Sequence, residues 1–169
     1  MTDKELNDVL ILVSQGDTSA FEQLYNELSA PVFTVALRIL KNRALAEDAV
    51  QEVFMKLYRS PTAGISKPRA YIFRMAHNTA LDILRSNPAF EDITEREDIP
   101  APQTCRDPDI AAALESLPSE ELTTVTLHIN CGLKFREIAE ITETPLGTVL
   151  WRYNKAIKRL RLILNGGTT

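Results

Sequence analysis

Apolar residues return every three or four positions through most of this chain, and nowhere do they alternate with polar ones. A period near 3.6 buries one stripe of a helix, whereas a period of two would bury one face of a strand, so the spacing predicts an all-α protein. Leu6, Val9, Leu10 and Val13 form the first stripe. Gly16 then supplies a stop and Asp17 a cap for the next helix. That helix runs through Phe21, Leu24, Tyr25 and Leu28, then Val32, Val35, Ala36, Ile39 and Leu40. Pro31 lies between the two groups and is expected to bend the helix or mark a break.

The helical rhythm stops between Pro88 and Pro108, which holds four prolines and no sustained apolar period, as a linker between two domains would. Extended, its 21 residues could span about 70 Å at about 3.3 Å each. Charge follows the same partition. The chain's formal net charge is -4, but residues 1–88 carry ten basic and ten acidic side chains, residues 89–117 two and eight, and residues 118–169 seven and five. Acid is concentrated in the middle, which leaves the final segment basic and able to meet nucleic acid. The expected organisation is therefore a helical domain over 1–88, a flexible acidic linker over 89–111 and a second helical domain over 112–169.

Within the first domain, A-E-D-A-V-Q-E-V-F-M-K-L-Y at 46–58 lays two surfaces on one helix. Ala46, Val50, Val53, Phe54 and Leu57 share a stripe suited to burial, while Asp48, Gln51, Glu52, Met55 and Arg59 share the opposite face. That face is mostly anionic, and it is either a plain solvated surface or a contact for a partner. On the next helix, Lys67 to Ser86, the inward stripe is Ile72, Met75, Ala76, Thr79 and Ile83, with Pro68 in the first turn. Tyr71, Arg74, Asn78 and Arg85 lie on a flank pointing elsewhere. An aromatic ring between guanidinium groups with an amide beside it can stack on an unpaired base, bond its edge and neutralise phosphate; packing at a helix boundary is the plainer alternative. His77 lies away from both stripes and is expected at the surface.

After the linker, L-P-S-E-E-L at 117–122 opens a helix for which Ser119 is the expected cap. Phe135, Ile138, Ala139 and Ile141 then predict a short helix, Thr142 to Pro145 a turn, and Leu146 onward a longer helix with Val149, Tyr153, Ala156 and Leu160 inward. This is a helix-turn-helix pattern, though an ordinary helical hairpin with a basic face would share the spacing. Along its outer side Thr148, Trp151, Arg152, Lys155 and Arg159 would meet base edges and phosphates, with Thr144 in the turn before them.

Other chemistry finds little support. Cys105 and Cys131 are far apart and have no Cys-x-x-Cys or paired histidines, so no metal site, cofactor or disulfide framework is expected, and Cys131 is a candidate buried thiol. Asp82, His77 and the cysteines form no nucleophile and base pair, and no glycine-rich phosphate loop is present, so an enzyme is not expected. No apolar run approaches the length of a bilayer span and Met1 to Leu12 has no secretory pattern, so the chain is expected in the cytoplasm, without membrane insertion.

Four ordered blocks resemble the extracytoplasmic-function (ECF) group of bacterial RNA polymerase sigma factors: G-D-T-S-A-F-E-Q-L-Y at 16–25, A-E-D-A-V-Q-E-V-F at 46–54, P-R-A-Y-I-F-R-M-A-H-N-T-A-L-D-I-L-R at 68–85, and E-I-A-E-I to G-T-V-L-W-R-Y at 137–153. The resemblance covers nearly the whole chain. It implies a sigma-two helical bundle and a sigma-four helix-turn-helix with no sigma-three domain between them, as the linker suggests.

By that resemblance, Asp48, Gln51, Glu52, Phe54 and Met55 belong to the surface that docks on the clamp helices of the β′ subunit of core RNA polymerase, with the β flap as a further contact. Tyr71, Arg74, Asn78 and Arg85 would contact and help open the minus-ten element, Tyr71 standing where an aromatic, usually Trp, is expected. Thr144, Thr148, Trp151, Arg152, Lys155 and Arg159 would meet the minus-thirty-five element. Leu150 and Trp151 depart from the small or basic residues common there. Trp151 could touch thymine methyls, pack on the preceding helix or serve a protein partner. Promoter DNA and an anti-sigma factor are the other partners implied. The acidic linker would either occupy the polymerase's RNA exit channel as an RNA mimic or act as a plain tether. A stand-alone helix-turn-helix repressor or activator with a sensing domain is the rival reading; it leaves the anionic face and the basic-aromatic helix without a purpose.

Overall fold

The computed structural model describes residues 1–60, 64–88 and 107–166, so Glu91, Asp92, Glu95, Glu97 and Asp98 of the linker, and Cys105, lie outside the described residues. The chain divides into two compact units, Met1–Glu97 and Asp98–Thr169, with the division inside the segment assigned to the linker. Among the described residues, all regular structure is helical, as the apolar spacing predicts.

The first unit consists of α1 (Asp3–Ser14), α2 (Thr18–Leu40), α3 (Arg43–Arg59) and α4 (Pro68–Ser86). Each start has a chemical cause. Thr2 caps α1 and Glu5 bonds back to the Thr2 amide at 2.7 Å, a reciprocal arrangement that holds the Glu5 carboxyl below the usual range through the backbone bond first and the hydroxyl second. Gly16 turns the chain at φ +86°, a conformation that costs glycine little, and Asp17 then caps α2 by accepting from the Ala20 amide at 3.0 Å. Asn42 caps α3 through the Leu45 amide, and Pro68 opens α4 where no amide hydrogen is needed.

Pro31 neither ends nor divides α2, which continues for 23 residues as one helix. Nearby, the buried Thr34 hydroxyl donates to the Ala30 carbonyl at 3.0 Å, an additional bond in the turn where proline removes a donor. The core joins one face of every helix: Leu6 and Leu10, Leu24 and Leu28, Val53 and Leu57, Ile72 and Phe73 are all essentially inaccessible. His77, expected at the surface, is only 9% exposed. It lies four residues after Phe73 and so shares that buried side of α4.

The second unit begins with α5 (Pro108–Glu115), so residues 108–111, counted with the linker, form its first turn, capped by Asp107. It continues through α6 (Ser119–Val125), a π-helical turn (Thr126–Asn130), α7 (Phe135–Ile141) and α8 (Leu146–Leu164). Ser119 is the first residue of α6 and makes no capping bond; Pro118 occupies the cap position. The π-turn closes with the Cys131 amide on the Thr126 carbonyl at 3.2 Å. Cys131, the candidate core thiol, is buried. Leu117, Leu122, Val125 and Ala156 form a core against which Leu114, Tyr153 and Leu160 pack.

Candidate functional site

Two surfaces in the first unit and one in the second carry the candidate residues. On α3 the apolar stripe is buried throughout, and Asp48, Gln51, Glu52, Met55 and Arg59 are exposed. Phe54 is the exception among the docking candidates. At 3% exposure it lies beneath the surface, its ring 4.8 Å from Tyr25 and 6.2 Å from Phe21. Helical geometry requires this: Phe54 follows Val50 by four residues and precedes Leu57 by three. Tyr25, against the Phe54 ring, and Tyr58, one helical turn after Met55, are exposed, as is Met55 at 51%, and Phe21 touches Tyr58 edge-on at 5.3 Å. Local sequence pattern does not mark Tyr25 or Tyr58 as contact residues. Their exposed aromatic surface follows from α2 and α3 packing together, a pairing that no local pattern states.

Lys56 connects this face to the next. Its ammonium pairs with Glu52 at 2.7 Å and donates to Thr79 of α4 at 3.2 Å. On α4, Tyr71, Arg74, Asn78 and Arg85 are all exposed as the spacing predicts. Arg85 lies 3.6 Å from Asp82, both highly exposed, a pairing weak enough to exchange for phosphate. Arg69, by contrast, is drawn to the start of the chain, donating to the Met1 carbonyl and lying 3.9 Å from Asp3.

In the second unit α7 and α8 meet across a turn in which Glu143 is left-handed at φ +51° and the Thr144 amide bonds the Ala139 carbonyl at 3.0 Å. His128 stacks on Phe135 at 4.2 Å and both rings meet Tyr153 edge-on at 5.0 Å, fixing α8 against the preceding segments. Three of the six candidate residues here are part of this construction. Arg152 pairs with Glu120 at 2.7 Å and donates to the Thr144 hydroxyl at 3.4 Å, while Thr144 itself donates to the Thr142 carbonyl at 3.0 Å. Arg159 donates to Glu121, a carboxylate only 4% exposed, at 3.2 Å. Arg159 therefore faces α6 rather than outward.

The side of α8 turned furthest outward is Gly147, Trp151, Asn154 and Lys158, at the i, i+4, i+7, i+11 positions of one stripe, and every one of these is exposed. Asn154 and Lys158 were not anticipated; the outward stripe could have been found by rotating one residue from the arginines. Thr148 and Lys155 are half-buried at its edge, the Lys155 ammonium 4.3 Å above the Trp151 ring. Among the described residues no cluster of His, Cys, Asp and Glu could hold a metal ion, and no helix is long and apolar enough to cross a membrane.

Two family models match the chain, one in each unit. The Sigma-70 region 2 family matches residues 24–89 and the Sigma-70, region 4 family matches residues 108–160. The ECF RNA polymerase sigma-E factor of Haemophilus influenzae is 32% identical over 165 residues, spanning 85% of this chain and 87% of its own. ECF RNA polymerase sigma factor SigK of Mycobacterium ulcerans is 23% identical over 176 residues, spanning 95% and 94%. Among solved structures, RpoE of Bartonella quintana in complex with the anti-sigma factor NepR shares the fold with a TM-score of 0.63 at 21% identity, covering 88% of this chain and 98% of that one. CnrH in complex with the cytosolic domain of CnrY gives 0.62 at 18% identity, covering 96% and 98%. The chain belongs to the ECF family of RNA polymerase sigma factors. It acts as an alternative sigma factor directing transcription initiation.

Proposed function

We propose that this sigma factor divides its work among the three surfaces. The exposed Asp48, Gln51, Glu52 and Met55 face of α3, extended by Tyr25 and Tyr58, docks on the β′ clamp helices of core RNA polymerase. The observation that carries this assignment is the segregation on α3: its apolar stripe is wholly consumed by the core, yet an anionic, Met-bearing face with two tyrosines beside it is left uncovered. A partner that offers basic side chains and an apolar seat matches both components.

The flank of α4 with Tyr71, Arg74, Asn78 and Arg85 holds the minus-ten element as single strand. Opening DNA exchanges base stacking in the duplex for stacking and hydrogen bonds on the protein, which needs an aromatic ring, an amide and cations but no covalent chemistry. The protein is accordingly a regulator without a catalytic site of its own, working in the cytoplasm, where polymerase supplies the chemistry. The face of α8 meets the minus-thirty-five element as duplex, the β flap holds the second unit, and an anti-sigma factor, the kind of partner bound to RpoE of Bartonella quintana, covers these surfaces when transcription is off.

Reconstituted transcription tests the reading. Core polymerase with this protein on a pool of promoter-length genomic fragments should yield discrete transcripts, with none from either component alone. Specific DNA binding by the protein alone, with no effect on core polymerase, would instead identify a repressor or activator.

A further inference from the structure

The geometry points to Trp151 and Asn154 as the residues that set base preference at the upstream element, reading an A·T step in the major groove. This inference rests on the assignment of α8 to upstream duplex. Trp151 is 57% exposed, so packing on the preceding helix does not account for it. Lys155 holds its ring from above, a cation on an aromatic face that orients the indole and places positive charge beside it. Asn154 is exposed three positions on, and Lys158 four beyond that. Helix α8 contains five basic residues and no acidic one, and with Arg152 and Arg159 held by Glu120 and Glu121, three cations remain to face phosphate.

Gly147 supplies an independent observation. It sits in the first turn of α8 with ordinary helical backbone, and a Cβ added there would meet nothing within 4 Å. Neither strain nor packing within the protein asks for glycine. A close approach by something outside, at the helix start on the same outward stripe as Trp151, does ask for it. Duplex DNA entering at that end would bring an apolar indole against a thymine C5-methyl and an amide against adenine N6 and N7, the complementary pairings of the major groove. A protein partner would have no need of the exposed amide or of the uncompensated cations.

The test is selection by the holoenzyme. Core polymerase carrying the wild-type chain or Trp151→Ala would be used to enrich promoter duplexes from a pool randomised upstream of a fixed minus-ten segment. The wild type should enrich A·T pairs at two neighbouring positions, Trp151→Ala should lose the preference at one, and Asn154→Ala should relax the other by about fivefold or more. Replacing the selected thymine by deoxyuridine removes only its methyl, and should weaken wild-type binding about three- to fourfold while leaving Trp151→Ala unchanged. Identical enrichment by wild type and Trp151→Ala, or equal sensitivity of both to deoxyuridine, overturns the proposal alone. Enrichment of no sequence by a wild-type holoenzyme that does assemble overturns the upstream assignment of α8 and this proposal together.

Discussion

Phe54 and Met55 are adjacent in sequence and opposite in consequence. A step of one residue turns a helix by about 100°, so one side chain enters the aromatic cluster with Phe21 and Tyr25 while the other meets solvent. Phe54→Ala should therefore lower stability by about 3–5 kcal/mol through the cavity it leaves. Met55→Ala should leave stability within about 0.5 kcal/mol and weaken binding to core polymerase instead. Urea unfolding and a polymerase titration on the two variants separate the effects. The same contrast divides two cations of α8. Arg159→Ala leaves the Glu121 carboxylate buried without its guanidinium and should cost about 1–3 kcal/mol of folding stability. Lys158→Ala should hardly change unfolding, but should reduce the salt dependence of promoter binding by about one phosphate contact.

At the scale of elements, α8 shows both what the sequence revealed and where it stopped. The helix, its turn and its partner α7 are legible because Ile138, Ile141, Val149 and Ala156 keep helical spacing and all are buried. The outward stripe was less so. Charge suggested that Arg152 and Arg159 face DNA, but acids on α6, more than thirty residues earlier in sequence, draw both aside and rotate the exposed side by one position. His77 and Ser119 diverge from expectation for a related reason: burial and capping are decided by what packs alongside, and local spacing does not state that. Pro31 is tolerated because a 23-residue helix buried along much of its length retains its other bonds and contacts around the defect. Gly147 makes an element-scale prediction. Replacing it by alanine should raise the stability of α8 by about 0.5–1 kcal/mol, since helical glycine is costly and the site is open. The same change should weaken promoter binding, measured as a higher melting temperature with a lower affinity for promoter duplex.

For the whole molecule, the distribution of charge is the organising fact. A chain of net charge -4 becomes a DNA-directed protein by gathering acid into its middle and leaving cations on one side of α8. Neutralising Glu91, Asp92, Glu95, Glu97 and Asp98 together should weaken holoenzyme assembly or alter promoter escape if that segment occupies a channel built for RNA, and unchanged assembly and escape would reduce it to a tether. The proposed docking face uses the opposite sign, on α3. Asp48→Lys with Glu52→Lys reverses that face while removing, among the described residues, one exposed pair, Glu52 with Lys56, worth about 0.3–0.5 kcal/mol, so the fold should survive. The most direct measurement is the affinity of this double variant for core polymerase, with its helical content and unfolding midpoint measured in parallel. The expected result is a native fold that no longer binds. A folded variant that binds core polymerase as tightly as the wild type would contradict the account.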